Sequence, residues 1–180
     1  MTVSPLQDRS QSMFDLYDTD GNGRITLEDF QQRAARIVDQ FPQAAPHKAQ
    51  AVRQQYAELW QELAEAADSD GDGQVTREEF VAVLDAATTE NVAASVGHDM
   101  AEFNLADADD DGYIGQQEIV SLLKAYGVSA QGAEAVLAIV DTDGDGRISG
   151  QEFAALQREC YVATDPNAPG SEVFSRLSSL

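Results

Sequence analysis

Met13, Phe14 and Tyr17 fall on one face of a helical projection, and Phe30, Ala34, Ile37, Val38 and Phe41 repeat the spacing further on. Ser4 followed by Pro5 reads as an N-cap and first-turn proline for the first of these helices, and Pro42 ends the second. A longer apolar stripe runs through Val52, Tyr56, Leu59, Trp60, Leu63 and Ala67. Phe80, Val81 and Leu84 begin a fourth helix, and Val96, Met100 and Phe103 mark a fifth. Ile119, Leu122, Leu123 and Tyr126 form a sixth, closed by Gly127. Ser129 caps a seventh carrying Ala133, Leu137 and Val140, and Phe153, Leu156 and Cys160 lie on an eighth. No segment alternates apolar and polar residues over the length of a strand, so the predicted class is all-α.

The polar interruptions between these helices repeat. Four twelve-residue runs align without gaps, from Asp18 to Asp29, Asp68 to Glu79, Asp107 to Glu118 and Asp141 to Glu152. Each is flanked by a helix on either side, which makes four helix-loop-helix units. The eighth residue of each run is apolar and β-branched (Ile25, Val75, Ile114, Ile148), a residue type suited to a short bridge between two loops lying back to back. The expectation is that the first run pairs with the second and the third with the fourth.

Oxygen donors stand at fixed places in these runs. Positions 1 and 3 are Asp18 and Asp20, Asp68 and Asp70, Asp107 and Asp109, Asp141 and Asp143. Position 5 is Asn22, Asp72, Asp111 or Asp145, followed each time by glycine. Position 7 (Arg24, Gln74, Tyr113, Arg147) contributes only its carbonyl, so its variety is read as harmless. Position 12 is Glu79, Glu118 and Glu152, but Asp29 in the first run. Ca²⁺ takes six to eight hard oxygens at ~2.3–2.6 Å, and loops of this length supply them from positions 1, 3, 5, 7, 9 and 12. At position 9, Gly115 leaves a water to complete the shell where the other runs have Thr26, Thr76 and Ser149. The shorter Asp29 side chain reaches an ion with one oxygen, which lowers coordination toward six and admits Mg²⁺ at the first loop. Up to four Ca²⁺ ions are expected.

Charge points the same way. The 180 residues carry 32 acidic and 11 basic side chains, a formal net charge of −21, and the basic residues form no run. Such a chain is repelled by nucleic-acid phosphates and by anionic membrane surfaces, so neither is expected as a partner. Fifteen of the acidic residues are loop ligands, and four divalent ions would offset eight of the negative charges. The first residues contain no apolar core of a signal peptide, no window reaches membrane-spanning length, and Cys160 is the only cysteine. A cytoplasmic monomer is expected, with its protein partner left open. Cys160 and Trp60 are read as packing residues, His47 as exposed and His98 as an ordinary helix residue.

On these loops, which have the form of EF-hands, the chain resembles the sarcoplasmic calcium-binding proteins and their bacterial calerythrin-like relatives. Spacing narrows the likeness: 38 residues separate the first two loops (Phe30 to Ala67), 27 the middle pair (Phe80 to Ala106) and 22 the last pair (Ile119 to Val140). A stretched first pair and a first loop ending in aspartate are similar to that family, whereas calmodulin-type chains space their loops nearly evenly. The resemblance implies two EF-hand pairs packed into one compact domain. Residues 1–90 would hold the first pair, 91–163 the second, and 164–180 a tail folding back onto the helices through Val173, Phe174, Leu177 and Leu180. Members of the family often have a degenerate second loop, but here Asp68 to Glu79 is intact.

Three functions compete. The leading expectation is a non-enzymatic calcium buffer or calcium-signal modulator. The alternative is a calmodulin-like sensor that grips a target helix. Such grooves favour methionine, and this chain has only Met1, Met13 and Met100. A calcium-triggered photoprotein ranks last, since His47 and His98 are the only histidines and neither lies in the last helix or tail.

Overall fold

The rings of Phe14 and Phe80 meet edge to face with centroids 5.8 Å apart, joining the helix before the first loop to the helix after the second. In this computed structural model, which describes residues 12–86, 100–162, 170, 171 and 173, residues 12–17 are helical (α1). They lead through strand β1 (Arg24–Ile25) into α2 (Leu27–Asp39) and α3 (Pro46–Ala67). Strand β2 (Val75–Thr76) and α4 (Arg77–Ala86) complete the first half. The second half runs α5 (Ala101–Ala106), β3 (Tyr113–Ile114), α6 (Gln116–Ala125), α7 (Ala130–Val140), β4 (Ile148–Ser149) and α8 (Gly150–Val162). The expected Ser4–Pro5 helix start, Val96 and His98, and Phe174, Leu177 and Leu180 lie outside the described residues.

Local signals in the sequence set the helix ends. The Ser129 hydroxyl accepts a hydrogen bond from the Gly132 N–H at 3.1 Å, capping α7. Gly127 adopts φ 82°, which lets its own N–H and that of Val128 reach the carbonyls of Lys124 and Leu123 and close α6. At the end of α2 the N–H groups of Gln40 and Phe41 reach back to Ile37 and Val38, ahead of Pro42. The loops pair as the sequence predicts: Ile25 stands opposite Val75, and Ile114 opposite Ile148, each in a two-residue antiparallel bridge. All four of these side chains are fully buried.

One continuous apolar cluster joins both halves. Phe14, Phe30, Ile37, Val52, Tyr56, Val75 and Phe80 come from the first half, and Phe103, Leu105, Ile114, Ile119, Leu122, Val136, Ile148 and Phe153 from the second. Phe30 packs between Tyr17, stacked at 5.3 Å, and Trp60, tilted at 5.8 Å. Trp60 is therefore a packing residue, and His47 is exposed, as read from the sequence.

The 22-residue α3 spans ~33 Å at 1.5 Å per residue. It packs on α2 and α4 of its own half and on α5 of the other. Its Tyr56 hydroxyl donates to Glu102 Oε1 on α5 at 2.6 Å and lies 3.1 Å from the hydroxyl of Tyr126, at the end of α6. The Tyr126 hydroxyl donates to the same carboxylate at 2.9 Å. Burial, reinforced by the charge of Glu102, pushes both phenols well above the ordinary tyrosine value, so both remain protonated donors.

Val173 is 1% exposed and belongs to the apolar cluster. Gly170 lies so close to α8 that a Cβ there would collide with Glu159 and with the Cys160 backbone. Its N–H donates to Glu159 Oε2 at 2.9 Å, and its carbonyl lies 3.5 Å from Cys160 Sγ. Among the described residues, no helix is long and apolar enough to cross a membrane.

Candidate metal centres

Each loop folds around the carboxylate of its first residue. Asp18 Oδ1 and Oδ2 accept from the N–H groups of Asn22 and Gly23 at 3.0 and 2.8 Å. Asp68, Asp107 and Asp141 make the same pair of bonds to positions 5 and 6 of their own loops. The position-6 glycines sit at φ 78–85°, where a side chain would be penalised, and this turn aims their N–H groups inward. The position-3 carboxylates of Asp20, Asp70, Asp109 and Asp143 accept from the position-5 N–H. Position 5 in turn accepts from the N–H of position 7 through Asn22, Asp72, Asp111 and Asp145.

The twelfth residue closes each loop by spanning its two ends. Glu79 accepts from the Ser69 N–H and hydroxyl with one oxygen and from the Thr76 N–H and hydroxyl with the other. Glu152 does the same with Thr142 and Ser149, and Glu118 with the N–H groups of Ala108 and Gly115. Asp29 achieves this with a side chain one methylene shorter. Its Oδ1 takes the Thr19 N–H at 2.9 Å, and its Oδ2 takes the Thr26 N–H and hydroxyl at 2.9 and 2.8 Å. The first loop has therefore closed around Asp29, which is 2% exposed.

Carboxylate oxygens converge in every loop. Oxygens of Asp18, Asp20 and Asp29 lie within 4.8 Å of one another, as do those of Asp68, Asp70 and Asp72. The same holds for Asp107, Asp109 and Asp111, and for Asp141, Asp143 and Glu152. Like charges at such separations repel, and a divalent cation relieves that repulsion while meeting the all-oxygen donor set Ca²⁺ prefers. The residues fit the ion.

Two carboxylates are held unusually acidic. Hydrogen bonds from the Ser69 hydroxyl, then from the Thr76 N–H and hydroxyl, hold Glu79 at about 2. Burial pushes Glu152 up, but bonds from the N–H and hydroxyl groups of Ser149 and Thr142 outweigh it and bring that carboxyl to about 2.

Position 7 does more than its carbonyl role requires. The Arg24 guanidinium crosses to the paired loop, donating to Gln74 Oε1 at 2.8 Å and standing 3.7 Å from Asp72 Oδ2. Arg147 crosses in the same way to Asp111 Oδ2 at 3.2 Å and lies over the Tyr113 ring at 3.8 Å. From the sequence alone these side chains are interchangeable. Bridge pairing is what places the position-7 arginine of one loop beside the position-5 carboxylate of its partner. Lys48, Asp110 and Glu102 were likewise not singled out, because their partners are distant in sequence.

Residues 7–84 and 99–158 each match the EF-hand domain pair. The chain belongs to the EF-hand domain pair family. Calerythrin of Saccharopolyspora erythraea is 30% identical over 167 residues, covering 89% of this chain and 94% of that protein. A Streptomyces coelicolor calcium-binding protein, whose structure was determined as a basis for prokaryotic calcium-mediated regulation, is 30% identical with a TM-score of 0.67. That likeness covers 89% of this chain and 99% of that one. Calcium-dependent protein kinase 34 of Arabidopsis thaliana is 33% identical over 158 residues, but these span only 27% of the kinase. The chain is thus an EF-hand calcium-binding protein of the calerythrin-like kind, with four candidate Ca²⁺ loops and the role of a calcium buffer or signal modulator.

Proposed function

We propose that this protein is a calcium buffer without enzymatic activity, and that its apolar faces stay covered when its sites fill. The carrying observation is the closed core: among the described residues, Leu27, 39% exposed, is the sole large exposed hydrophobic side chain. A sensor needs a groove that a target helix can enter, usually rich in methionine. Here Met13 is buried in the core, Met100 packs against it, and Val173 lies within it.

In this reading the ion in each loop is held by side chains at positions 1, 3, 5 and 12 and by the carbonyl at position 7. The first site comprises Asp18, Asp20, Asn22, Arg24 and Asp29, and the second Asp68, Asp70, Asp72, Gln74 and Glu79. The third comprises Asp107, Asp109, Asp111, Tyr113 and Glu118, and the fourth Asp141, Asp143, Asp145, Arg147 and Glu152. Mg²⁺ competes best at the first site. Residues 1–90 and 91–163 act as two EF-hand pairs and 164–180 as a strap against the helices. The protein works as a cytoplasmic monomer with no affinity for nucleic acid or membranes, consistent with its charge of −21.

A fluorescent probe for apolar surface tests the buffer reading. It should bind the Ca²⁺-loaded protein no better than the Mg²⁺-loaded protein. Strong calcium-dependent probe binding, or capture of an amphipathic target helix, would overturn the buffer reading in favour of a sensor.

A further inference from the structure

The third loop differs from the others at its fourth position. Gly21, Gly71 and Gly144 stand there in the other loops, at φ 71°, 72° and 76°, whereas the third loop has Asp110 at φ 60°. A side chain in this left-handed region carries a conformational cost that glycine does not. The carboxylate it introduces is engaged: Lys48 Nζ lies 2.6 Å from Asp110 Oδ1 and 2.7 Å from the main-chain oxygen of Asp107. The Lys48 side chain is 10% exposed, although lysine is seldom buried unless paired.

Lys48 belongs to α3, in the first EF-hand pair, and the groups it holds belong to the second pair. Eight residues further along the same helix, Tyr56 grips Glu102 on α5, the helix that enters the third loop. Lys48, Val52 and Tyr56 are spaced by four residues, share one helix face and are all buried. One face of α3 thus holds both the incoming helix and the loop itself. Lys48 takes the main-chain oxygen of position 1 and the side chain of position 4, and so leaves the carboxylates of Asp107, Asp109, Asp111 and Glu118 to the ion.

We propose that Lys48 and Asp110 form a latch that holds the third loop in its binding shape, so that the first EF-hand pair sets part of the calcium affinity of the third site. Lys48 is a positioning residue acting through Asp110 and the Asp107 main chain. The proposal rests on the reading of the third loop as a calcium site. Positioning is separable from charge. If the pair acted only through its field, removing the ammonium would strengthen cation binding and removing the carboxylate would weaken it. A latch weakens binding in both cases.

Tyr113 is the one aromatic residue at position 7 among the four loops, so Tb³⁺ luminescence excited through tyrosine reports the third site in the full-length protein. Tyr113→Phe identifies that signal by removing it. Lys48→Met and Asp110→Asn are each expected to weaken cation binding at this site by about fivefold or more, read as a higher Tb³⁺ concentration at half-maximal Tyr113-sensitised luminescence, with the double variant no worse than either single one. Asp110→Gly should fold, since the other loops carry glycine there, yet show the same weakened third site. Calorimetry should find the fourth site unaltered in all of them. Opposite effects of Lys48→Met and Asp110→Asn, additive effects, a third site unchanged in every variant, or equal weakening of all sites would overturn the latch. A wild-type protein with no Tyr113-sensitised signal would overturn the calcium reading of the third loop and the latch with it.

Discussion

Asp29→Glu adds one methylene to a side chain that is 2% exposed and whose two oxygens already hold opposite ends of the first loop. Glu79, Glu118 and Glu152 make equivalent bonds in their loops with a side chain one methylene longer. In the metal-free protein a glutamate must push the start of α2 outward or surrender the bonds to Thr19 and Thr26, at a cost of about 1–3 kcal/mol. With the ion bound the balance shifts. A glutamate presents both oxygens and raises coordination from six toward seven, which suits Ca²⁺ and strains Mg²⁺. The expected gain in Ca²⁺ over Mg²⁺ preference at the first site is about tenfold, or ~1.4 kcal/mol. Calorimetric titration with Ca²⁺ in the presence and absence of millimolar Mg²⁺ measures it, and Glu118→Asp should move the third site the opposite way. The reasoning fails if the wild-type first site proves as selective as the fourth and Asp29→Glu leaves it so.

Glu79 and Glu152, held at about 2 against an ordinary 4.5, contribute stability that is fully present above 4.5 and disappears as pH falls toward 2. Denaturant titrations of the metal-free protein across that window should show stability falling with pH, and Glu79→Gln combined with Glu152→Gln should flatten part of the slope; an unaltered slope would refute the assignment. Val173→Ala removes two methyl groups from a side chain that is 1% exposed and should destabilise the protein by about 1.5–2 kcal/mol, read as a lower denaturation midpoint with the same m-value. A change under ~0.5 kcal/mol would show that the tail does not contribute to the core.

The loops were legible because their chemistry is local. Twelve residues contain the donors at positions 1, 3, 5 and 12, the turn glycine and the β-branched residue of the bridge, so the order of residue types is enough to find them. Helix stripes and the Ser129 and Gly127 boundaries were legible for the same reason, since capping and 3.6-residue periodicity act over a few residues. The pairing of loops followed from Ile25, Val75, Ile114 and Ile148, because a bridge has few alternatives once loops alternate with helices.

Tertiary structure alone decided how the two pairs face one another. Lys48 meets Asp107 and Asp110 across 59 and 62 residues, Tyr56 meets Glu102 and Tyr126 across 46 and 70, and Arg147 meets Asp111 across 36. In the sequence Lys48 is one more polar residue near the start of a helix, and Asp110 one more acid in an acidic loop. What distinguishes them is the angle at which α3 crosses the second pair. That angle is set by how whole side-chain surfaces interlock, a property that no local spacing carries.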